Sequence, residues 1–520
     1  DGEKVNYIPV VSGEVDAALS GLSSVEVKLS SWVGGSWVEI GTYEADMVYQ
    51  SSWSYSGLSG LIDGTTYQIV ARALDRAGNW SVIYSTVVFV YDISKPGVSI
   101  TKPVNGRYYG TNSGEIDYYL DVVSGNSSDA FGISRTEISV MRLSDNKYFD
   151  GNDFNLDVSS WIYVGGASWS YDATTLRGRL TDGLQYRVVA RAYDEAGNLS
   201  DYATSYFYYD ATVPSIVLSN PSTGYLNVLS QINGTANDSF SGMLNVKIAI
   251  QIDPPSGNWW DGSGFNSPTE VYNLDTSHSW PSWSYTSLPL WQTNKYYLVK
   301  VKSVDNAKNE SGVVSQQFLY DIDVPTVSIT VPSLSYVRSL EYIRGESGDT
   351  NSNGVIYNVS VRVKHIGANL YWDGSGYSIS NPEDAWFIVS STTTPPYHNW
   401  FTTGTPGGVS FTSGFDYEIN ARSFDRAGNY SSVYSTVTFR YDTEAPISSV
   451  TVPGVEYISN VVPLTISGDV TDPGGSGLVV VKVKIKRMSD GYFWSSVDGQ
   501  FVESEIDNNG GAVSPWSVVI

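Results

Sequence analysis

The chain has 520 residues, 54 acidic and 30 basic side chains, a net charge of −24 and no cysteine. Its length overfills one sandwich core and suits four or five. The acidic excess argues against nucleic acid and anionic membrane surfaces as partners, and the missing thiols exclude disulfides and thiolate metal sites.

With 38 Tyr and 16 Trp, alongside 49 Gly and 21 Pro, the composition favours short strands and many turns. No long stretch holds helical periodicity. No signal peptide or membrane-spanning segment is apparent, and the sequence opens directly on Asp1, so a targeting region is expected to be removed or to lie elsewhere. Secretion without disulfides fits a bacterial or archaeal surface better than a eukaryotic ectodomain.

Self-similarity organises the chain. Four segments align without gaps: Tyr67 to Asn79 (YQIVARALDRAGN), Tyr186 to Asn198 (YRVVARAYDEAGN), Tyr297 to Asn309 (YLVKVKSVDNAKN) and Tyr417 to Asn429 (YEINARSFDRAGN). Beyond each lies an aromatic–aspartate pair ending at Asp92, Asp210, Asp321 or Asp442, then a proline at the fourth position: Pro96, Pro214, Pro325 and Pro446. Successive linker aspartates stand 118, 111 and 121 residues apart, the size of one sandwich of about 100 residues with insertions. The boundaries expected are 1–94, 95–212, 213–323, 324–444 and 445–520. The first unit is expected to lack its first strand and the fifth its last strands. Either the stretch is cut from a longer array, or neighbouring chains supply the missing strands in a fibre.

Within a unit the elements follow in order. An early strand is expected to end at Gly125, Gly234, Gly345 or Gly468, with an aspartate four residues on: Asp129, Asp238, Asp349 or Asp472. Aromatic-Asp-Gly hairpin turns come next, at Phe149-Asp150-Gly151, Trp260-Asp261-Gly262 and Trp372-Asp373-Gly374. Trp53, Trp169, Trp283 and Trp400 read as core aromatics. The aligned segment itself alternates cleanly: Tyr67, Ile69, Ala71 and Ala73 share one face, which predicts a half-buried antiparallel strand. Asp-x-Ala-Gly-Asn then reads as a hairpin turn. In the third unit Lys308 replaces the glycine, which predicts a strained or different turn there.

The run Leu58-x-x-Leu61, Thr66-Tyr67-x-Ile69-x-Ala71-x-Ala73, Ala77-Gly78-Asn79-x-Ser81 resembles the last two strands of fibronectin type III and bacterial Ig-like domains. The tyrosines at 67, 186, 297 and 417 match that fold's tyrosine corner. The resemblance covers four units well and the fifth in its first half. It implies an all-β tandem array of Ig-like or fibronectin type III-like sandwiches, beads on a string, of the kind found in long microbial surface proteins.

Enzymatic chemistry finds no support. His278, His365 and His398 do not recur at equivalent positions or in ligand or triad spacing. The recurring carboxylates are more informative. In this fold the loop after the early strand and the Asp-x-Ala-Gly-Asn loop share the pole where the chain enters. Three clusters follow: Asp92, Asp129 and Asp194; Asp210, Asp238 and Asp305; Asp321, Asp349 and Asp425. Three carboxylates within reach repel unless a cation joins them, and calcium takes six to eight oxygens in loose geometry. The expectation is calcium at interdomain junctions; the competing reading is a set of caps and Asx turns with no metal.

Arg72, Arg191, Lys302 and Arg422 read as exposed cross-strand ion pairs. Trp259, Trp260, Tyr371 and Trp372 are candidates for sugar stacking, against the alternative of core packing. Asn79, Asn198, Asn309 and Asn429 each open an Asn-x-Ser acceptor pattern.

The leading functional expectation is a non-catalytic stalk or fibre on a prokaryotic cell surface, with copies of itself as partners. Second is an adhesin for carbohydrate or another surface protein, with the insertion between Trp372 and Trp400 as its best candidate loop. Third is a spacer array within a larger secreted enzyme.

Overall fold

The computed structural model describes residues 2–16, 20–49, 51–274, 277–349, 355–394, 397–402, 408–454 and 464–520. Among them strands dominate, and five separate apolar cores gather from successive stretches of chain. The molecule is an all-β tandem array of Ig-like antiparallel sandwiches. No helix among the described residues is long and apolar enough to cross a membrane.

Each of the first four cores is organised by the strand that carries the corner tyrosine: Thr65–Asp75, Leu184–Asp194, Lys295–Asp305 and Phe415–Asp425. Alternation buries Tyr186, Val188, Ala190 and Ala192 while their neighbours face outward. The buried phenol needs a partner, and it has the same one every time. The hydroxyls of Tyr67, Tyr186, Tyr297 and Tyr417 accept from the backbone N–H five residues upstream, at 2.7, 2.7, 2.8 and 2.9 Å. That bond folds the approach to the strand back onto the ring.

The third unit shows the two layers most simply. One sheet runs Ser215–Asn220, Ile232–Asn237, Ser282–Tyr285, Ser277–Ser279. The other runs Gly224–Leu226, Val314–Tyr320, Lys295–Asp305, Met243–Ile252, Trp259–Trp260, Phe265–Ser267. The chain therefore enters in one layer and crosses to the other, where Gly224–Leu226 lies parallel to Val314–Tyr320. The fourth unit repeats this order, and in the second the layers join through Ile162–Gly165 and Ser168–Asp172. In the first unit Glu3–Val5 is the parallel strand, and Val11–Glu14 forms an edge of its sheet. The fifth has the smallest core, built on Val470, Val481, Val483, Trp516 and Val518.

Two local expectations need revision or refinement. The glycines expected to end an early strand sit inside it instead, within Val122–Ser128, Ile232–Asn237, Arg344–Gly348 and Thr465–Thr471. The reason is packing. The rings of Trp169, Trp283, Trp400 and Trp516 lie against these glycines so closely that a Cβ would overlap both the ring and a carbonyl of the adjacent strand. The turn at Lys308 keeps the hydrogen-bonding of its glycine counterparts, with Lys308 N–H on Asp305 O at 3.1 Å, as Gly78 N–H is on Asp75 O. Lys308 takes φ 67° to do so, a strain of about 1 kcal/mol for a residue with a Cβ.

Two substitutions separate these devices. Gly125→Ala should destabilise the second unit by about 1–3 kcal/mol or more through overpacking, and Tyr186→Phe by about 1 kcal/mol through the lost corner bond. Hydrogen exchange should show lost protection within residues 95–212, with the other cores unchanged.

Candidate metal centre

The nine aspartates singled out by the repeat pattern come together in three groups. Asp92, Asp129 and Asp194 form one, Asp210, Asp238 and Asp305 the second, and Asp321, Asp349 and Asp425 the third. Within each group one oxygen from every carboxylate lies within 4.8 Å of the others. Each carboxylate is placed by a different element. The linker aspartate ends the last strand of one unit, and its N–H is fixed on the parallel strand of that unit: Asp92 on Val5 O at 2.9 Å, Asp210 on Tyr109 O at 3.0 Å, Asp321 on Leu226 O at 2.9 Å. The second carboxylate belongs to the loop after the glycine-bearing strand of the next unit. Its Oδ1 turns that loop by accepting from Phe131 N–H at 2.8 Å in Asp129, and from Phe240 N–H at 3.0 Å in Asp238. The third ends the corner-tyrosine strand.

The third carboxylate is also where sequence reading missed something. Asn198, Asn309 and Asn429 do more than close a turn. Each side-chain amide donates to its own aspartate and, across the junction, to the backbone carbonyl of the linker aspartate. Asn198 reaches Asp92 O at 2.9 Å, Asn309 reaches Asp210 O at 2.8 Å, and Asn429 reaches Asp321 O at 2.9 Å. Thr111 of the preceding unit donates back to Asn309 Oδ1 from its N–H and its hydroxyl, at 3.0 and 3.1 Å. These three asparagines are therefore engaged as interdomain clasps, and Asn309 is 2% exposed; Asn79 is the exposed one of the four. The one available signal was their fixed place four residues after Asp194, Asp305 and Asp425, which a turn reading absorbed.

The electrostatics of the first two clusters are unfavourable as they stand. Asp92 and Asp210 are 0% exposed, and each uses Oδ1 to accept a backbone N–H two residues on while Oδ2 has no hydrogen-bond partner. Burial pushes the Asp92 carboxyl up, helped by the charges of Asp129 and Asp194. Burial likewise raises Asp210, offset by the neighbouring Ser241 hydroxyl and reinforced by Asp238. Asp305 is pushed up to about 6, again chiefly by burial, against the hydrogen bonds from Asn309 and with the charges of Asp210 and Asp238. At the effective dielectric of a part-buried site, two such charges about 5 Å apart repel by about 3 kcal/mol.

The donor set fits a hard divalent cation. Oxygens within 4.8 Å of one another can reach a single such ion, and calcium accepts them in looser geometry than magnesium does. Three carboxylates supply charge; backbone carbonyls and water would complete the six to eight oxygens.

Other candidates fare differently. Trp259, Trp260, Tyr371 and Trp372 are 7%, 9%, 8% and 4% exposed, so they are core and do not offer a sugar a stacking face. Arg72, Arg191, Lys302 and Arg422 pair with Glu26, Glu137, Glu310 and Glu383. All four are only part-exposed, and all four also lie over rings, Arg72 on Trp80, Arg191 on Trp161, Lys302 on Tyr272 and Arg422 on Trp386, at 4.2, 3.8, 4.6 and 4.2 Å. His278 stacks on Trp280 and His365 packs among Tyr377, Phe415 and Tyr417; the side chain of His398 lies outside the described residues. Part of the insertion between Trp372 and Trp400 lies outside them too. What is described there is short strands and a single turn of 3-10 helix, Pro382–Ala385.

No family model and no curated protein matches this chain. Among solved structures it is similar to a tetra-tandem repeat from the extending region of a large adhesion protein, at 18% identity and TM-score 0.30 over 84% of this chain and 95% of that one. It is also similar to fibronectin(III)-like modules of Clostridium thermocellum CbhA, at 14% identity and TM-score 0.26 over 43% and 94%. The chicken CNTN1 FN1–FN3 domains match at 13% identity and TM-score 0.24 over 61% and 97%. The fold assignment rests on the strand order above.

The raised Asp305 carboxyl sets a pH dependence. The folded chain holds a proton that the unfolded chain, titrating near 3.8, has released, so metal-free stability should rise as pH falls through 6 toward the unfolded value. Calorimetry in chelator should show a higher melting temperature at about pH 5 than at neutrality. A cation held by the same oxygens would reverse that order, because cation and proton would compete for them.

Proposed function

We propose that this chain is the non-catalytic repeat region of an extracellular, prokaryotic surface protein, a stalk or fibre segment stiffened by calcium at its interdomain junctions. The observation that carries the reading is the pair of fully buried, unpartnered oxygens on Asp92 and Asp210, each in a group of three carboxylates contributed by two adjacent units. A cation there is shared between units, so its binding energy becomes interdomain rigidity rather than stability of one core. The cysteine-free, acidic composition and the self-contained cores support a secreted array in which stability is local plus nearest-neighbour terms. The units 1–94, 95–212, 213–323, 324–444 and 445–520 would then be the beads.

The roles of the chain's own residues follow from this. Linker aspartates supply one ligand and are held by the outgoing unit; Asp129 and Asp238 present a second from a tight Asp-led loop, and Asp349 presents it from the end of Arg344–Gly348. Asp194, Asp305 and Asp425 supply the third, oriented by Asn198, Asn309 and Asn429. The asparagine clasp sets the approach of the two units before any ion binds.

Small-angle scattering with and without chelator tests the proposal. Calcium should lengthen and narrow the distribution of maximum dimensions, and chelator should shorten and broaden it. Asp210→Asn should soften the second junction in calcium while leaving the unit cores protected. Identical profiles in calcium and chelator would count against calcium-stiffened junctions.

A further inference from the structure

The fourth junction is built from different parts. Asp442 ends the last strand of the fourth unit, Ser435–Tyr441, and its N–H is fixed on Val337 O at 2.9 Å, as in the other linkers. The facing loop reads Asp472-Pro473-Gly474-Gly475-Ser476-Gly477, and it folds down onto that aspartate. Ser476 N–H donates to Asp442 Oδ2 at 3.1 Å and Glu444 N–H to Oδ1 at 2.9 Å. Asp472 Oδ2 in turn accepts from Gly477 N–H at 2.7 Å and from the Ser476 hydroxyl at 3.3 Å. Both oxygens of Asp442 are thus satisfied by the protein, whereas Asp92 and Asp210 each keep one bare.

The loop comes this close because its glycines have no side chains. A Cβ on Gly474 would collide with the Asp442 carboxylate, and one on Gly475 would press on the Arg440 guanidinium. The corresponding loops of the second and third units carry Phe131 and Phe240 instead; Phe240 packs across its junction on Tyr108 and Tyr208, with ring centroids 5.6 and 6.1 Å apart.

Arg440 stands two residues before the linker aspartate, where the first three junctions have Val90, Tyr208 and Leu319. Its Nε donates across the junction to Gly474 O at 2.8 Å. The other end of the guanidinium holds the fourth unit, through Gly414 O at 2.8 Å and the Asp416 carboxylate at 3.2 Å. The planar fork suits this, binding groups on two units at once.

We infer that Arg440 is a built-in brace at the fourth junction, tying the Gly474 carbonyl of the fifth unit to Gly414 and Asp416 of the fourth, so that this junction stays ordered without metal. The inference rests on the calcium reading for the contrast it draws, and on the Arg440 contacts alone for the brace. It makes the array two kinds of joint: three whose stiffness follows the calcium concentration and one whose stiffness does not. The lowered Asp442 carboxyl agrees with it, since the Ser476 hydrogen bond and the Arg440 charge both favour the ionised form.

The absence of cysteine allows spin-label pairs to be placed at will on the full chain. Val158→Cys with Leu290→Cys spans the second junction, and Val433→Cys with Val479→Cys the fourth; all four sites are well exposed. Pulsed dipolar spectroscopy should give one narrow distance peak for each pair in calcium. Chelator should abolish the narrow peak across the second junction and leave the fourth unchanged. Arg440→Leu, the residue type of the third junction, should abolish the peak across the fourth even in calcium, and Gly474→Ala, which lifts the loop from the opposite side, should do the same. If chelator broadens the fourth junction as it does the second, or if both variants leave it narrow, the brace is refuted. If neither junction responds to chelator but both variants broaden the fourth, the calcium reading fails and the brace stands.

Discussion

Carboxylates of two adjacent folded units, gathered against one another between them, are the constraint on which the rest of this molecule turns. Each of the first three junctions draws one carboxylate from the unit behind and two from the unit ahead, into a space where the oxygens lie within 4.8 Å. The cores do not require this. They are closed by their own corner tyrosines and glycine-tryptophan contacts, and would tolerate neutral residues at the poles. The charge is therefore concentrated where it affects the geometry between units and little else, and a ligand that removes the repulsion acts on that geometry.

Around this charge the protein has arranged contacts that need no ion. The asparagine clasps hold linker carbonyls, Phe240 fills the second junction with Tyr108 and Tyr208, and Lys308 sits with its ammonium 4.9 Å over the ring of Tyr118 in the preceding unit. These contacts are individually small, about 1 kcal/mol each, and they set an approach angle that the carboxylates oppose. At the fourth junction Arg440 and a loop stripped of side chains close on the linker instead.

Much of this was legible in the sequence because the array repeats itself. A single aspartate near a turn says little, but Asp92, Asp210 and Asp321 at one position, with Asp194, Asp305 and Asp425 at another, fix which loops must meet once the fold class is known. The corner tyrosines were legible for the same reason, through strict alternation along one strand. What escaped was contact between units. Asn198, Asn309 and Asn429 have a sufficient local explanation as turn residues, so their second partner across the junction left no separate trace. Gly125 and its counterparts look like strand terminators because glycine weakens strands, and only the ring of Trp169 lying against it shows why the strand continues. Trp260 and Trp372 sit beside exposed Asp-Gly turns, yet alternation across so short a hairpin turns their rings inward. Arg440 reads as one more outward strand residue until the facing loop is in place.

The most direct measurement is the number of calcium ions bound per chain, by titration calorimetry at low ionic strength. The account gives three sites, one for each carboxylate group, lost one at a time as Asp92, Asp210 and Asp321 are changed to asparagine. A chain that binds no calcium, or one whose stoichiometry is indifferent to those changes, contradicts it.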